Sequence, residues 1–296
     1  MHENEFEIDE LLVHALLEEQ CPQWAYLPLH AVASSGTDNA LFRLGNEYVV
    51  RLPRVEWAVG SVTTSIAKEF EWIPKISRLL KIPISEPVFK GSANSYYSWP
   101  WIVAKWHDGY NPLFEQHDEY ELLAQDVAIF LNELHGISLA NGPASRRGVA
   151  LHELDKETRQ AISELEGEVD VQAVTSLWTR LTTISSWNKK PLWVHGDFLP
   201  GNILVQDNRL RAVIDFSDVG MGDPACDLVI AWSLFNAHSR QVFRAALDHI
   251  DDATWERGRG WALSIALIML PYYKNSNPTL ALLARRMINN VFQGSV

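Results

Sequence analysis

Ten residues, Trp193-Val194-His195-Gly196-Asp197-Phe198-Leu199-Pro200-Gly201-Asn202, followed further on by Val213-Ile214-Asp215-Phe216, constrain this chain more than any others. They set an Asp, an Asn five residues later, and a second Asp beyond a hairpin-like stretch. Apolar runs flank both acids, so each carboxylate is expected at the end of a strand, where a loop presents it. Any one of these residues alone reads as a turn-capping Asp or Asn. Together they form the oxygen set that phosphoryl transfer uses. One carboxylate accepts the proton of an attacking hydroxyl, while an amide oxygen and a second carboxylate hold the metal ions that neutralise the phosphates.

The rest of the chain divides by hydrophobic period. Glu7 to Glu19 carries a helical stripe at Ile8, Leu11, Leu12, Ala15 and Leu16. Val32 to Ser35, Ala40 to Leu44 and Tyr48 to Leu52 read as three strands, with turns at Gly36-Thr37-Asp38-Asn39 and Gly45-Asn46. Ile66 to Leu80 returns to helical spacing, with Pro74 placed to kink or end it. Pro87 to Lys90 and Trp101 to Lys105 complete a small sheet with one helix laid on it. Beyond Trp106 the pattern is mainly helical, strongest over Leu122 to Leu134, Thr175 to Ile184 and Gly260 to Leu270. Strand signals in this half are confined to Ile203-Leu204-Val205 and Ala212-Val213-Ile214. Asn141 to Ser145 is a loop inside this part, not a boundary.

Composition excludes several classes. A net charge of −12 argues against a nucleic-acid phosphate surface, and it suits either a cationic small substrate or an ordinary acidic soluble protein. The two cysteines, Cys21 and Cys226, lie far apart without ligand-like spacing, so neither a disulfide framework nor a zinc site is expected. The twelve Trp are expected to serve mostly in packing. The acidic start, Met1-His2-Glu3-Asn4-Glu5, is unlike a signal peptide, and no apolar stretch reaches the length of a membrane span. The expectation is a cytoplasmic protein, a monomer or weak dimer, with no nucleic-acid or membrane partner.

The spacing His195-x-Asp197-x-x-x-x-Asn202 repeats the catalytic-loop pattern of protein kinases, and Ile214-Asp215-Phe216 stands where their metal-binding Asp stands. Further matches are Gly220-Met221-Gly222-Asp223-Pro224-Ala225-Cys226-Asp227-Leu228, Gly36-Thr37-Asp38-Asn39, Arg51-Leu52-Pro53-Arg54, Pro100-Trp101 and Arg257-Gly258-Arg259-Gly260-Trp261. On these residues the chain resembles the aminoglycoside phosphotransferase family, a branch of the protein-kinase-like fold that also includes choline and homoserine kinases. The resemblance covers nearly the whole chain. It implies an α+β bilobal fold. Residues 1–105 would form a small antiparallel-sheet lobe that binds nucleotide, and residues 106–296 a larger, mainly helical lobe for catalysis and substrate. It further implies Asp197 as the catalytic base or orienter of the acceptor hydroxyl, and Asn202 and Asp215 as ligands of Mg²⁺, a cation that prefers such oxygens. His195 and Asp227 would be structural supports, and ATP or GTP the donor.

The nucleotide side is less regular. Ser34 to Asn39 sits between two strands, where a phosphate-covering loop would lie, but it holds a single Gly, so a plain hairpin turn explains it as well. In the first reading Ser35, Gly36 and Thr37 meet the phosphates through backbone N–H groups and hydroxyls. The third strand carries Arg51 where protein kinases carry Lys; Arg keeps the charge and adds a planar fork. Arg51 is the expected phosphate ligand, Arg54 the alternative, and Glu69 on the next helix the expected partner. Lys105 marks the hinge, whose backbone would meet a purine edge. Asp218 and Asp223 either line the acceptor side or are solvated turn residues.

Three activities compete: a small-molecule kinase, a catalytically silent kinase-like binding protein, and a protein kinase. The intact set of Asp197, Asn202 and Asp215 counts against the second. The direct run from Asp215 into Gly222-Asp223-Pro224, without an Ala-Pro-Glu-like segment, counts against the third. The resemblance points to aminoglycoside-like or other amine-bearing acceptors, and Glu115 to Glu119 would suit a polycation, though carboxylates at a helix start explain the same residues. Macrolides and choline-like amines stay open.

Overall fold

The computed structural model describes residues 7–33, 38–56, 58, 60–113 and 119–293. Helix α1 (Glu10–Gln20) starts where the Asp9 carboxylate accepts the Leu12 N–H at 2.8 Å. Its buried Val13, Leu16 and Leu17 pack on a five-stranded antiparallel sheet. The strands are β1 (Leu29–Ala31), β2 (Asn39–Leu44), β3 (Tyr48–Pro53), β4 (Pro87–Gly91) and β5 (Trp101–Lys105), in the order β1-β2-β3-β5-β4. Ala40, Phe42 and Leu44 alternate inward along β2, as a half-buried strand demands. The first strand lies earlier than its apolar residues suggest, because Leu29, opposite Leu44, fills the buried slot while Val32 is only half-buried.

Helix α2 (Ser61–Ser77) crosses from one lobe to the other. Glu69 is buried beneath the sheet, whereas Trp72, Ile73 and Ile76 belong to the core of the large lobe. Pro74 neither ends nor splits the helix, which continues to Ser77 with Ile73 and Ile76 fully buried on either side of it. That burial offsets the one backbone hydrogen bond a proline forgoes.

The large lobe is built from α3 (Glu121–His135), α4 (Asp155–Glu164), α5 (Val171–Thr182), α6 (Ile230–Ser233), α7 (Ala237–Ala245), α8 (Asp252–Tyr273) and α9 (Pro278–Gln293). Two small antiparallel pairs carry the site: β6 (Leu192–Val194) with β9 (Gly220–Gly222), and β7 (Ile203–Gln206) with β8 (Arg209–Val213). Strands β6 and β9 are three residues each, too short for a period to register in sequence. Two buried arginines finish a helix: Arg240 donates to the Asn290 carbonyl and Arg259 to that of Val291, near the end of α9. Those carbonyls have no partner within the helix, and a cation there also suits the helix dipole. No helix among the described residues is long and apolar enough to cross a membrane.

Candidate active site

The loop between β6 and β7 carries His195, Asp197 and Asn202, and it is fixed from below by Asp227. That carboxylate is fully buried in a 3-10 turn (Pro224–Val229) and accepts the backbone N–H groups of His195 at 2.9 Å and Gly196 at 2.8 Å. It also accepts from His135 Nε2 at 3.0 Å. His195 is equally buried and ties the loop to the strand that leads to Asp215. Its Nδ1 accepts the Asp197 N–H (3.2 Å), so the ring proton sits on Nε2 and is donated to the Ile214 carbonyl (3.0 Å). The expected supporting roles of His195 and Asp227 agree with these contacts. Gly196 has φ +84°, and a Cβ on it would lie 2.6 Å from the Asp218 carbonyl, so the bend before Asp197 admits only glycine.

Asp197 and Asn202 meet directly. The Asn202 amide nitrogen donates to Asp197 Oδ2 (3.0 Å) and to the Asp197 carbonyl (2.8 Å), which leaves its oxygen turned outward. Asp215 follows β8 with φ +58°, a left-handed conformation that a non-glycine residue holds at a cost and that aims its carboxylate into the cleft. The Ile214 N–H bonds to the Asn202 carbonyl at 2.9 Å, locking the two loops together.

From the small lobe, Arg51 reaches the same place. Its Nη2 pairs with Glu69, and its Nη1 lies 3.4 Å from Asp215 Oδ1. Burial opposes the Arg51 charge, but Glu69 and Asp215 more than compensate and raise its pKa. Glu69 is thus the partner of Arg51. Burial pushes the Asp197 carboxyl up; the nearby Arg147 works against that rise, while Asp218 and Asp215 add to it.

Other expectations change. Asp223 is buried, its oxygens taken by the Ala225 N–H and by Arg257 Nε (2.6 Å) and Nη2 (3.2 Å). Asp218 is gripped by Arg146 through Nε (3.1 Å) and Nη2 (2.9 Å). Neither carboxylate is without a cation partner, and Asp223 is a brace between the loop after Asp215 and α8. Lys105 spends its Nζ on Glu86 (2.5 Å) and its N–H on the Glu86 carbonyl (3.0 Å), while the Trp106 N–H goes to Glu47 (2.8 Å). None of these donors is left for a purine edge. Ser35, Gly36 and Thr37 lie outside the described residues, as do Glu115 and Asp118.

The residues that sequence reasoning passed over are Arg146 and Arg147, in the segment that follows the Asn141 to Ser145 loop. Arg147 Nη1 donates to Asp197 Oδ1. The available signal was indirect: the stretch Asp197 to Asn202 contains no cation of its own.

An antiparallel sheet over a helical lobe, with an Asp-Asn pair and a strained Asp meeting an Arg-Glu pair in the cleft between them, defines a phosphotransferase of protein-kinase-like fold. A profile of the phosphotransferase enzyme family matches residues 30–261, and the chain belongs to that family. Aminoglycoside 3'-phosphotransferase of Escherichia coli is 23% identical over 184 residues, 61% of this chain and 67% of that protein. The structure of the aminoglycoside phosphotransferase APH(2")-IIIa with GDP and kanamycin superposes with a TM-score of 0.72 at 16% identity, over 97% of this chain and all of that one. Macrolide 2'-phosphotransferase of Brachybacterium faecium gives 0.62 at 18%, over 93% and 97%. The chain is thus a small-molecule kinase whose acceptor group is a hydroxyl.

Proposed function

We propose that this protein moves the γ-phosphoryl group of Mg²⁺-bound ATP or GTP onto a hydroxyl of an amine-bearing acceptor of the aminoglycoside type. The observation that carries the proposal is the convergence of two residue sets: Asp197 bonded to Asn202, and Arg51 beside Asp215, joined by the Ile214–Asn202 backbone bond. Asp197 takes the acceptor's proton, and Arg51 holds phosphate oxygens. Ser35, Gly36 and Thr37 cover the phosphates, a role that rests on their place between β1 and β2.

The donor set suits Mg²⁺. Asn202 Oδ1 and Asp215 Oδ2 have no hydrogen-bond partner among the described residues, because the Asn202 nitrogen and Asp215 Oδ1 take the internal contacts. No group of three His, Cys, Asp or Glu side chains able to cage a metal occurs among the described residues. Two hard oxygens with nucleotide phosphates and water filling the remaining positions is the arrangement this cation prefers in such sites. The ion, when bound, supplies positive charge to the phosphates. Replacing Asp215 by Asn removes one negative charge from its shell. Asp215→Asn is therefore expected to weaken Mg-nucleotide binding more than metal-free nucleotide binding, and paired calorimetric titrations with and without Mg²⁺ would show it. Equal losses would make Asp215 a structural residue.

Support for an amine-bearing acceptor comes from the net charge of −12 and from the substrate named for the E. coli relative. With Asp218 and Asp223 committed to arginines, the acceptor's ammonium groups must meet other carboxylates of the large lobe. The test is transfer from γ-labelled nucleotide across a panel of aminoglycosides, macrolides and choline-like amines. For a polycationic acceptor, KM should climb steeply with added salt while kcat holds, since exposed charges are screened beyond about 8 Å at physiological ionic strength. A neutral best acceptor with a salt-indifferent KM would remove the amine-bearing reading and leave the kinase standing.

A further inference from the structure

A phosphoryl group in transfer spreads its negative charge over three equatorial oxygens, and most of the catalysis is positioning plus cations arranged around it. On the nucleotide side Arg51 stands ready, next to Asp215. On the acceptor side, Asp197-Phe198-Leu199-Pro200-Gly201-Asn202 brings a carboxylate and an amide but no Lys or Arg. The fold delivers a cation to that spot from 50 residues upstream, where Arg147 Nη1 meets Asp197 Oδ1.

The mount beneath Arg147 is rigid and closely fitted. The Ser145 N–H bonds to the Met221 carbonyl (3.0 Å), the Ser145 hydroxyl to that of Asp218 (3.0 Å), and the Asp223 N–H to that of Gly148 (2.9 Å). Three glycines permit this approach. A Cβ on Gly148 would stand 2.7 Å from Gly222 Cα, one on Gly222 2.4 Å from Gly148 Cα, and one on Gly220 2.6 Å from the Ser145 nitrogen. Real Cβ atoms do not come so near to backbone, so the segment bearing Arg147 is pressed onto β9 with no room between.

The two neighbouring arginines divide the work. Arg146 covers Asp218 with both prongs of its fork and has a side chain 70% exposed. Arg147 lies 3.7 Å from Asp218 through Nε, is 27% exposed, and its Nη2 has no partner among the described residues. One prong is therefore spent on Asp197, and another remains free beside it.

Resting on the phosphotransferase reading above, we infer that Arg147 is the acceptor-side cation of the transfer, holding Asp197 in register with one nitrogen and donating to the moving phosphoryl group with another. In the step it serves, the acceptor oxygen forms a bond to the γ-phosphorus as the bond from that phosphorus to the β,γ-bridging oxygen breaks. The electron pair of the broken bond leaves with the nucleoside diphosphate, and the hydroxyl proton passes to Asp197. Arg147 exchanges no proton; a guanidinium stays charged throughout. Its planar fork is what lets one side chain serve a carboxylate and a phosphoryl oxygen together, which a Lys ammonium on a flexible stem matches poorly.

The test compares the whole wild-type chain with Arg147→Met and Arg147→Lys. Calorimetry reads binding of ADP and of GDP with Mg²⁺, first alone and then with aluminium fluoride, a mimic of the transferring phosphoryl group. Cations of this kind contribute about 10³-fold or more to kcat. Arg147→Met should therefore bind the fluoride complex at least about a hundredfold more weakly, with diphosphate affinity within about threefold of wild type. Turnover of labelled nucleotide should fall with the nucleotide KM unchanged, and Arg147→Lys should lie between. An Arg147→Met protein that matches wild type on the fluoride complex, or loses both affinities in proportion, overturns the role. Should Arg147→Met fail to fold, Arg147→Lys decides: a loss confined to the fluoride complex supports the role, and any other pattern defeats it. A wild type that binds neither diphosphate would instead remove the phosphotransferase reading itself.

Discussion

Replacing Asp197 by Asn should lower kcat at least about a hundredfold, or more than about 2.7 kcal/mol in barrier, while leaving nucleotide affinity near wild type. An amide of the same shape keeps an oxygen toward Arg147 but has no basicity for the acceptor's proton. The loop should keep its place, because Asp227, His195, the Ile214–Asn202 bond and the Asn202 bond to the Asp197 carbonyl all remain when the Asn202 bond to the Asp197 side chain is lost. Steady-state kinetics with the best acceptor from the panel, together with nucleotide titrations, make the comparison. Retention of more than about a tenth of wild-type kcat would show that Asp197 does not accept the proton.

Asp227→Ala should cost about 3–5 kcal/mol of stability, the largest loss expected from a single polar substitution here. Besides the Cys226 thiol at 3.8 Å, three N–H donors converge on that carboxylate: the backbone of His195 and Gly196, and His135 Nε2. All lie in a fully buried setting where no water can replace the lost oxygens, and each orphaned donor costs about 1–3 kcal/mol. Asn should rescue little, since its amide would present N–H groups to N–H groups on one side. The measurement is a denaturant midpoint shift at unchanged slope. A loss below about 1 kcal/mol would mean that the loop finds other partners.

How far the sequence could be read depends on what each residue's role rests upon. Asp197, Asn202 and Asp215 were legible because their spacing along the chain is their spacing in the site, two adjoining loops closed by one backbone bond. Arg51 and Glu69 were legible because a strand and the next helix bring them together in any fold of this order. Arg147 was not, since its partner is 50 residues away and the two meet through tertiary contacts of the Ser145 to Gly148 segment with β9 and its neighbours. Asp218 and Asp223 stayed between two readings for a related reason. Both are acids in a loop near the site, and only the tertiary structure reveals that Arg146 and Arg257 have already claimed them. The short strands β6 and β9 lack any period of their own and exist because they pair with each other.

Helix α2 has an unusual allegiance. It offers Glu69 to the small lobe's Arg51, yet a turn further on Trp72 lies against Trp193 at 4.9 Å, and Ile73 and Ile76 are embedded in the large lobe. At its other end the Ser65 hydroxyl donates to the Ser217 carbonyl, two residues past Asp215. In protein kinases the equivalent ion pair is made and broken as the helix moves, and this is how activity is controlled. Here the helix is packed on the lobe that carries Asp197 and Asp215, so the Arg51–Glu69 pair is tied to both lobes at once.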